Sequence, residues 1–183
     1  YCPHLGAHLG VGGRVEGDRL RCPFHAWEFA GDGRCVRVPY AKKIPPKARL
    51  RPWPLLERNG MLFVHHHKAG VAPTWEPPVV PEYASDEWTD YWRRDWEVAS
   101  CAQEMAENSV DPAHFKYVHR TAELPEAEAR VDGPVFHVDM GYPIRMGEQL
   151  QQGSIAIDCF GFGVGVTRFR GIVDTTVVAT GTP

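Results

Sequence analysis

Two short stretches near the start of the chain combine residue types that bind metals. Cys2-Pro3-His4 is followed, after 17 intervening residues, by Cys22-Pro23-Phe24-His25. Each stretch offers one thiolate and one imidazole from a tight, proline-containing loop. Two Cys and two His suit a tetrahedral zinc ion. They also suit a binuclear [2Fe–2S] cluster in which two Cys hold one iron and two His the other. A single residue between Cys2 and His4 is cramped for a structural zinc knuckle. One Cys and one His at each of two loop tips let the sulfurs turn toward one iron and the imidazoles toward the other, so the spacing favours the binuclear cluster. The bland alternative is four buried residues with no metal, since cysteine is commonly buried; four such residues in this order weigh against it.

A second constellation runs through Asn108-Ser109-Val110-Asp111-Pro112-Ala113-His114-Phe115-Lys116-Tyr117-Val118-His119, with Asn108, Asp111, His114 and His119 at spacings N-x-x-D-x-x-H-x-x-x-x-H. A gap of five turns the second His about 140° from the first on an ideal helix. Both can meet one metal only if the helix is distorted or ends between them. Pro112 disfavours helical geometry at Asp111. The competing view is that Asp111 and Pro112 simply start a helix, as N-cap and first position, and that the two histidines are ordinary.

The elements that must hold these residues are readable in outline. Glu16-Gly17-Asp18, Gly31-Asp32-Gly33 and Asn59-Gly60 each separate short apolar runs, as hairpin turns do. The first part of the chain is therefore expected to be a small all-β unit (1–68). Residues 69–90 hold Pro73, Pro77, Pro78 and Pro81 without periodicity and read as a linker or crossing segment. Residues 91–183 read as an α+β unit: a strand at Tyr91–Val98, a helix over 100–119, and strands from Pro134 onward. In the tract Phe160 to Val166, bulky residues alternate with Gly161, Gly163 and Gly165. On a strand this puts the glycines on one face, leaving either a roomy apolar cavity for a flat ligand or space for a packed helix. His8, Cys35 and the run His65-His66-His67 lie outside both constellations and read as surface, filler and a solvated strand end.

Composition limits the partners. The chain has 183 residues, a formal charge of −3, 43% hydrophobic residues and five cysteines. That length buries a real core. An odd cysteine count argues against a secreted disulfide framework and points to a reducing compartment, the cytoplasm. No apolar run reaches the ~18 residues of a membrane span. With Lys and Arg taken as scattered among Asp and Glu, no nucleic-acid partner is expected. The chain starts at Tyr1, one residue before a candidate ligand, and stops at Pro183 in strand-like sequence. It is expected to be a fragment, so a membrane anchor ahead of residue 1 stays compatible with it.

YCPHLGAHLG and CPFHAWEF resemble the two cluster loops of Rieske domains, with Ala7 and Phe24 where respiratory members carry a disulfide. That pattern goes with a midpoint in the low part of the Rieske range, about −150 mV. Taken with GDGRC-x3-PY and E-N-x-x-D-x-A-H-F, the chain resembles the alpha subunits of Rieske non-haem iron oxygenases. It is most similar to the steroid-acting branch, which holds the 3-ketosteroid 9-alpha-hydroxylase oxygenase component and the Neverland-type cholesterol 7-desaturase.

The resemblance implies a Rieske domain followed by a partial, helix-grip-like catalytic domain with an antiparallel sheet. It implies that Cys2 and Cys22 bind one iron of a [2Fe–2S] cluster and His4 and His25 the other, and that His114 and His119 bind a mononuclear Fe(II). The third iron ligand is expected beyond this fragment. Asp111 would bridge the two metal sites across a subunit boundary of a homotrimer, supported by Asn108. A separate ferredoxin or flavin reductase would supply electrons for hydroxylation or desaturation of a small hydrophobic substrate by O2. The fragment alone should not turn over. Rival readings are a Rieske ferredoxin, which needs no His114/His119 pair, an oxygenase acting on an aromatic substrate, and a structural zinc module.

Overall fold

The structure, a computed structural model, describes residues 1–121, 123–146 and 149–182. Two compact units are present: Tyr1–Leu56 with Val64–Ala72, and Glu57–Phe63 with Pro73–Pro183.

In the first unit, β1 (Arg14–Glu16), β2 (Arg19–Arg21), β3 (Glu28–Ala30) and β4 (Cys35–Arg37) form an antiparallel meander in chain order. The turns fall where Gly17-Asp18 and Gly31-Asp32-Gly33 predict them. Gly33 cannot be exchanged: it sits at φ +84°, and a Cβ there would lie 2.3 Å from the Leu50 carbonyl oxygen. The core is small. Cys2, Cys22, Trp27, Phe29, Cys35 and Val38 are buried together, with Ala7, Leu9, Ala48 and Leu50 against them. Two candidate ligands are thus part of the core itself. Cys35 is filler in it, as expected, and His8 is exposed with its ring edge-on to Tyr1.

A hairpin of β5 (Leu55–Arg58) and β6 (Met61–Val64) turns at Asn59-Gly60. Asn59 takes φ +51° and is buried. Its amide donates to the Pro78 carbonyl and accepts from the Val80 N–H, each at 2.9 Å. The turn residue therefore also pins the proline-rich segment.

In the second unit a 3-10 turn at Pro81–Ala84 precedes α1 (Ala102–Glu107), a 3-10 turn at Asn108–Val110 and α2 (Pro112–Tyr117). Five strands follow: β7 (Glu126–Asp132), β8 (Val135–Met146), β9 (Gln149–Phe160), β10 (Val164–Arg170) and β11 (Thr175–Thr180). They form one antiparallel sheet in the order β11-β10-β9-β8-β7. One face carries Val138, Met140, Ile155, Ile157 and Cys159, and Phe115 of α2 packs on it with Phe136 and Phe169. The opposite face carries a charged cluster. His137 Nδ1 lies 2.6 Å from Asp158 Oδ1, and Arg168 reaches both Asp158 (3.1 Å) and the buried Glu82 (2.6 Å). Thr176 also donates to Glu82.

Hydrogen bonding from Arg168 is the main reason the Glu82 carboxyl falls from its ordinary 4.5 to about 2. A depressed carboxyl stabilises the fold above its unfolded value, and that stability is lost as pH falls from about 4.5 toward about 2. Glu82→Gln is therefore expected to lower the unfolding free energy by about 3 kcal/mol at neutral pH. Urea titrations at several pH values check it: the gap between wild type and variant should close toward pH 2, and a pH-independent gap contradicts the assignment.

Four expectations need correction. Tyr91–Val98 reads as a strand in sequence, yet it is irregular and exposed, because no strand among the described residues pairs with its backbone. The 100–119 helix is two short helices separated by a 3-10 turn and Asp111, whose φ −96° and ψ 95° break the helical run ahead of Pro112. Phe160–Val166 is not one strand. Gly161–Gly163 form the turn between β9 and β10, Phe162 is exposed, and only Gly165 stays in the ladder. The alternating glycine face does not exist. Finally, strands begin at Glu126, not Pro134; β7 alternates Ala127, Ala129 and Val131 with Glu126, Glu128, Arg130 and Asp132, but its apolar residues are mostly small and it is exposed throughout. Among the described residues no helix is long and apolar enough to cross a membrane.

Candidate metal centres

The two N-terminal loops share one hydrogen-bond plan. The Cys2 N–H donates to the Ala7 carbonyl (2.8 Å) and the Gly6 N–H to the Cys2 carbonyl (2.9 Å). Likewise the Cys22 N–H donates to the Trp27 carbonyl (2.8 Å) and the Ala26 N–H to the Cys22 carbonyl (3.2 Å). The residue four after each cysteine is left-handed: Gly6 at φ +72° and Ala26 at φ +56°. Alanine is rarely found there, which marks backbone strain held at the second loop. The His sits two residues after Cys2 but three after Cys22, and the loops nonetheless bring the rings together: the His4 and His25 centroids are 4.7 Å apart.

Both sulfurs are buried while both imidazoles are half-buried. No disulfide joins any of the five cysteines. Burial pushes the Cys2 thiol up; the His4 N–H opposes this and the Cys22 sulfur adds to it. Two buried sulfurs that share one core favour a cationic centre beside them. His4 Nδ1 is buried and has no hydrogen-bond partner among the described residues. An orphaned ring nitrogen costs about 1–3 kcal/mol, and a metal bond removes that cost. The residues present therefore fit a cluster with two sulfur and two nitrogen ligands.

Two aromatic residues that the spacing did not single out hold this arrangement. Trp27 stacks flat on His4 at 4.5 Å with 8° between planes, and its indole N–H donates to Tyr40 Oη at 2.7 Å. Tyr40 lies 6.4 Å from the His25 ring. The signal was present as an aromatic two residues after His25 and as the Val38-Pro39-Tyr40 tract, but its meaning needs the fold.

At the second constellation, α2 ends at Tyr117, between the two histidines. The Val118 and His119 N–H groups both donate to the His114 carbonyl, Arg120 turns left-handed at φ +59°, and the Thr121 N–H closes on the Phe115 carbonyl. This wind-up brings the His114 and His119 rings to 5.2 Å despite the gap of five. His114 Nδ1 is 2.5 Å from the Asp111 backbone carbonyl. A carbonyl only accepts, so Nδ1 carries the proton and Nε2 keeps its lone pair for a metal. Phe115, packed on the sheet, and Ser109 Oγ, 3.8 Å from Cys159 Sγ, tie this region to β8 and β9.

Asp111 is the N-cap of α2, its Oδ1 accepting from the Ala113 N–H at 2.8 Å. The helix-start role and a role at a metal do not exclude each other, because Asp111 is exposed and its Oδ2 makes no hydrogen bond among the described residues. The exposed Asn108 side chain makes no hydrogen bond to Asp111, His114 or His119. Among the described residues no group of three His, Cys, Asp or Glu side chains is placed to hold a single metal ion, which a mononuclear iron site needs and a binuclear cluster with two protein ligands per iron does not. Asp158 faces His137 and Arg168 instead. The three-histidine tract is spent locally: His65 Nε2 meets the Val71 carbonyl, His66 packs on Trp53, and His67 Nδ1 accepts from the Ala69 N–H.

Residues 1–54 match the family described as the Rieske [2Fe-2S] domain, and residues 64–182 match the 3-Ketosteroid 9alpha-hydroxylase C-terminal domain. The cholesterol 7-desaturase nvd of Xenopus laevis is 44% identical over 131 residues, which cover 71% of this chain and 29% of that protein. The 3-ketosteroid-9-alpha-monooxygenase oxygenase component of Mycobacterium tuberculosis is 46% identical over 124 residues, covering 65% and 31%. The chain thus spans about a third of these relatives or less. Among solved structures, dicamba monooxygenase bound to dicamba superposes with a TM-score of 0.68 at 22% identity, over 100% of this chain and 56% of that one. Pseudomonas putida CBB5 NdmA with caffeine gives 0.68 at 24% identity, over 97% and 54%.

Proposed function

Because the chain belongs to the family of the 3-ketosteroid 9alpha-hydroxylase C-terminal domain, with a Rieske [2Fe-2S] domain ahead of it, we propose that it is part of an oxygenase component. Such a component takes electrons from a separate ferredoxin or flavin reductase and uses O2 to hydroxylate or desaturate a steroid- or sterol-like substrate. The joining of both family matches in one chain carries this reading. A stand-alone electron carrier has no use for the unit that holds His114 and His119, and a zinc module has no use for either match. The named activities of the relatives support a steroid over an aromatic substrate. Five free cysteines suit a reducing cytoplasm.

In this reading Cys2, Cys22, His4 and His25 hold the cluster, and His114 and His119 are two ligands of Fe(II) through Nε2, with a carboxylate from outside the described residues as the third. When bound, the cluster supplies single electrons and the ferrous ion supplies open positions for O2. The protein's own part is positioning. Trp27 and Tyr40 fix the His4 plane, the Asp111 carbonyl fixes the His114 tautomer, and Phe115 anchors the helix that carries His114 and ends just ahead of His119. The free Asp111 oxygen accepts an imidazole N–H from a neighbouring copy in a homotrimer, with Asn108 beside it.

Full-length protein with a flavin reductase and O2, offered a 3-ketosteroid, cholesterol and a chlorinated benzoate, tests the reading by mass spectrometry. A steroid or sterol that gains one oxygen atom or loses two hydrogens is expected. Conversion of the benzoate alone, or of none of the three by metal-loaded protein, contradicts it.

A further inference from the structure

Charge is not scattered evenly along the chain, contrary to the expectation from its near-neutral total. The unit of Tyr1–Leu56 and Val64–Ala72 holds eleven Lys and Arg against four Asp and Glu, a net +7, and the other holds nine against nineteen, a net −10. Seven basic residues and no acidic one lie between Asp32 and Glu57. Four of these are spent within the fold: Arg34 on Asp32, Arg37 on Glu28, Arg49 on the Asp32 carbonyl and Arg51 on the Trp53 ring. Lys42, Lys43 and Lys47 are exposed and take part in no ion pair among the described residues.

All three lysines belong to one loop that the fold holds away from its core. The loop leaves at Val38, which is buried, and returns at Ala48, which packs against the same core. Its base is closed by the Cys35 N–H donating to the Ala48 carbonyl at 3.1 Å. A tight turn follows Val38, whose carbonyl accepts from the Ala41 N–H (3.2 Å), and another precedes Ala48, whose N–H donates to the Pro45 carbonyl (2.9 Å). Between these anchors every residue over 39–47 is exposed. Pro39, Pro45 and Pro46 restrict the backbone, so little freedom is lost when a partner holds the loop still. Chain reach keeps the Cα atoms of Lys42 and Lys47 within about 18 Å of each other, so the three ammonium groups act on one patch of a facing surface.

The tip is not only basic. Ile44, 41% exposed, stands between Lys43 and Lys47, with Pro45 and Pro46 beside it. A nucleic-acid backbone uses the ammonium groups and gains nothing from the isoleucine. An anionic bilayer uses both, because its headgroups attract the lysines and the boundary with its acyl chains rewards burial of an apolar side chain.

We propose that the loop over 39–47 is a docking surface for anionic lipid bilayers, with Lys42, Lys43 and Lys47 against charged headgroups and Ile44 inserted among them. Attraction of this kind fades beyond about 10 Å at about 0.1 M salt, so the sign of the loop decides it and not that of the whole chain. Neither metal site takes part, and the surface stands or falls apart from the oxygenase reading. A steroid- or sterol-like substrate, as proposed above, dissolves in the same bilayer, and adsorption brings the enzyme to it.

The test sediments full-length, metal-loaded protein with vesicles of equal parts phosphatidylcholine and phosphatidylserine, and with vesicles of phosphatidylcholine alone. Wild type should bind the mixed vesicles at about 0.01 M salt, release them near about 1 M, and leave the phosphatidylcholine vesicles unbound. K42Q/K43Q/K47Q should weaken binding about 100-fold. Ile44→Ser should weaken it about fivefold, whereas R130E on β7 should match wild type. Equal binding of mixed vesicles by wild type and the triple variant overturns the proposal, as does equal binding of both vesicle types by wild type. So does a triple variant with a changed oligomeric mass, which would place the loop between copies. A DNA duplex bound through the lysines and indifferent to Ile44→Ser, with mixed vesicles left unbound, overturns it in favour of nucleic acid. Visible absorption of the same samples reports separately on the cluster: colourless wild type that binds mixed vesicles contradicts the cluster reading and supports this one.

Discussion

Cys22→Ser is expected to bleach the first unit: iron–sulfur absorption is lost, and two of the three irons per full-length chain disappear. The Cys22 side chain is buried against Cys2 and the shared core of Trp27, Phe29, Cys35 and Val38. A serine hydroxyl is shorter than the thiol and does not ionise near neutrality, so it replaces neither the bond length nor the charge of a thiolate. The loss should exceed the about 10–100-fold in metal affinity that an outer residue such as Trp27 costs. Because a ligand pair makes up part of a six-residue core, the first unit should also lose cooperative unfolding, since metal binding and folding are one process in so small a unit. Visible spectroscopy with iron and acid-labile sulfide analysis checks it. Full colour in the variant removes Cys22 from the ligand set.

The second large effect falls on Asp111, and the structure separates its two roles. Asp111→Ala removes both the carboxylate and the N-cap of α2, and the cap alone is worth about 1 kcal/mol. Asp111→Asn keeps an oxygen for the Ala113 N–H and loses only the charge. Both variants of the full-length protein should retain their metals, and both should lose at least about 100-fold in turnover, about 2.7 kcal/mol. Thermal unfolding should shift for Ala and hardly for Asn. If Asn turns over normally, the bridging role is wrong and Asp111 is a cap only. If Asn fails but its iron is lost too, the residue acts through His114 placement, through the carbonyl that fixes its ring.

How far the sequence told this in advance differs by element, for physical reasons. The three hairpins were legible because Gly17-Asp18, Gly33 and Asn59-Gly60 carry their turn chemistry in one or two residues. The cluster loops were legible as ligand types in order, but not as equivalent turns. Their common feature is a left-handed residue four after each cysteine, and Ala26 hides it where glycine would have announced it. The helix break between His114 and His119 was legible only as a condition, since a gap of five against a period of 3.6 lets both rings meet one metal only if the helix distorts or ends between them. Glu82 gave no signal, because Arg168, its partner, is 86 residues away. Charge partition was hidden for a different reason: a total of −3 is what remains when +7 and −10 are pooled. Period-two alternation misled at Phe160–Val166, as strand-forming residue types did at Tyr91–Val98, since a side-chain pattern marks a strand only where a neighbouring backbone completes the ladder.

Diffraction from crystals of the full-length protein, recorded on both sides of the iron absorption edge, tests the central claim most directly. Two adjacent anomalous peaks are expected within bonding distance of Cys2 and Cys22 Sγ and of His4 and His25 ring nitrogens, with a third beside His114 and His119. A single zinc-edge peak at the N-terminal loops, or four side chains with no anomalous scatterer among them, contradicts it.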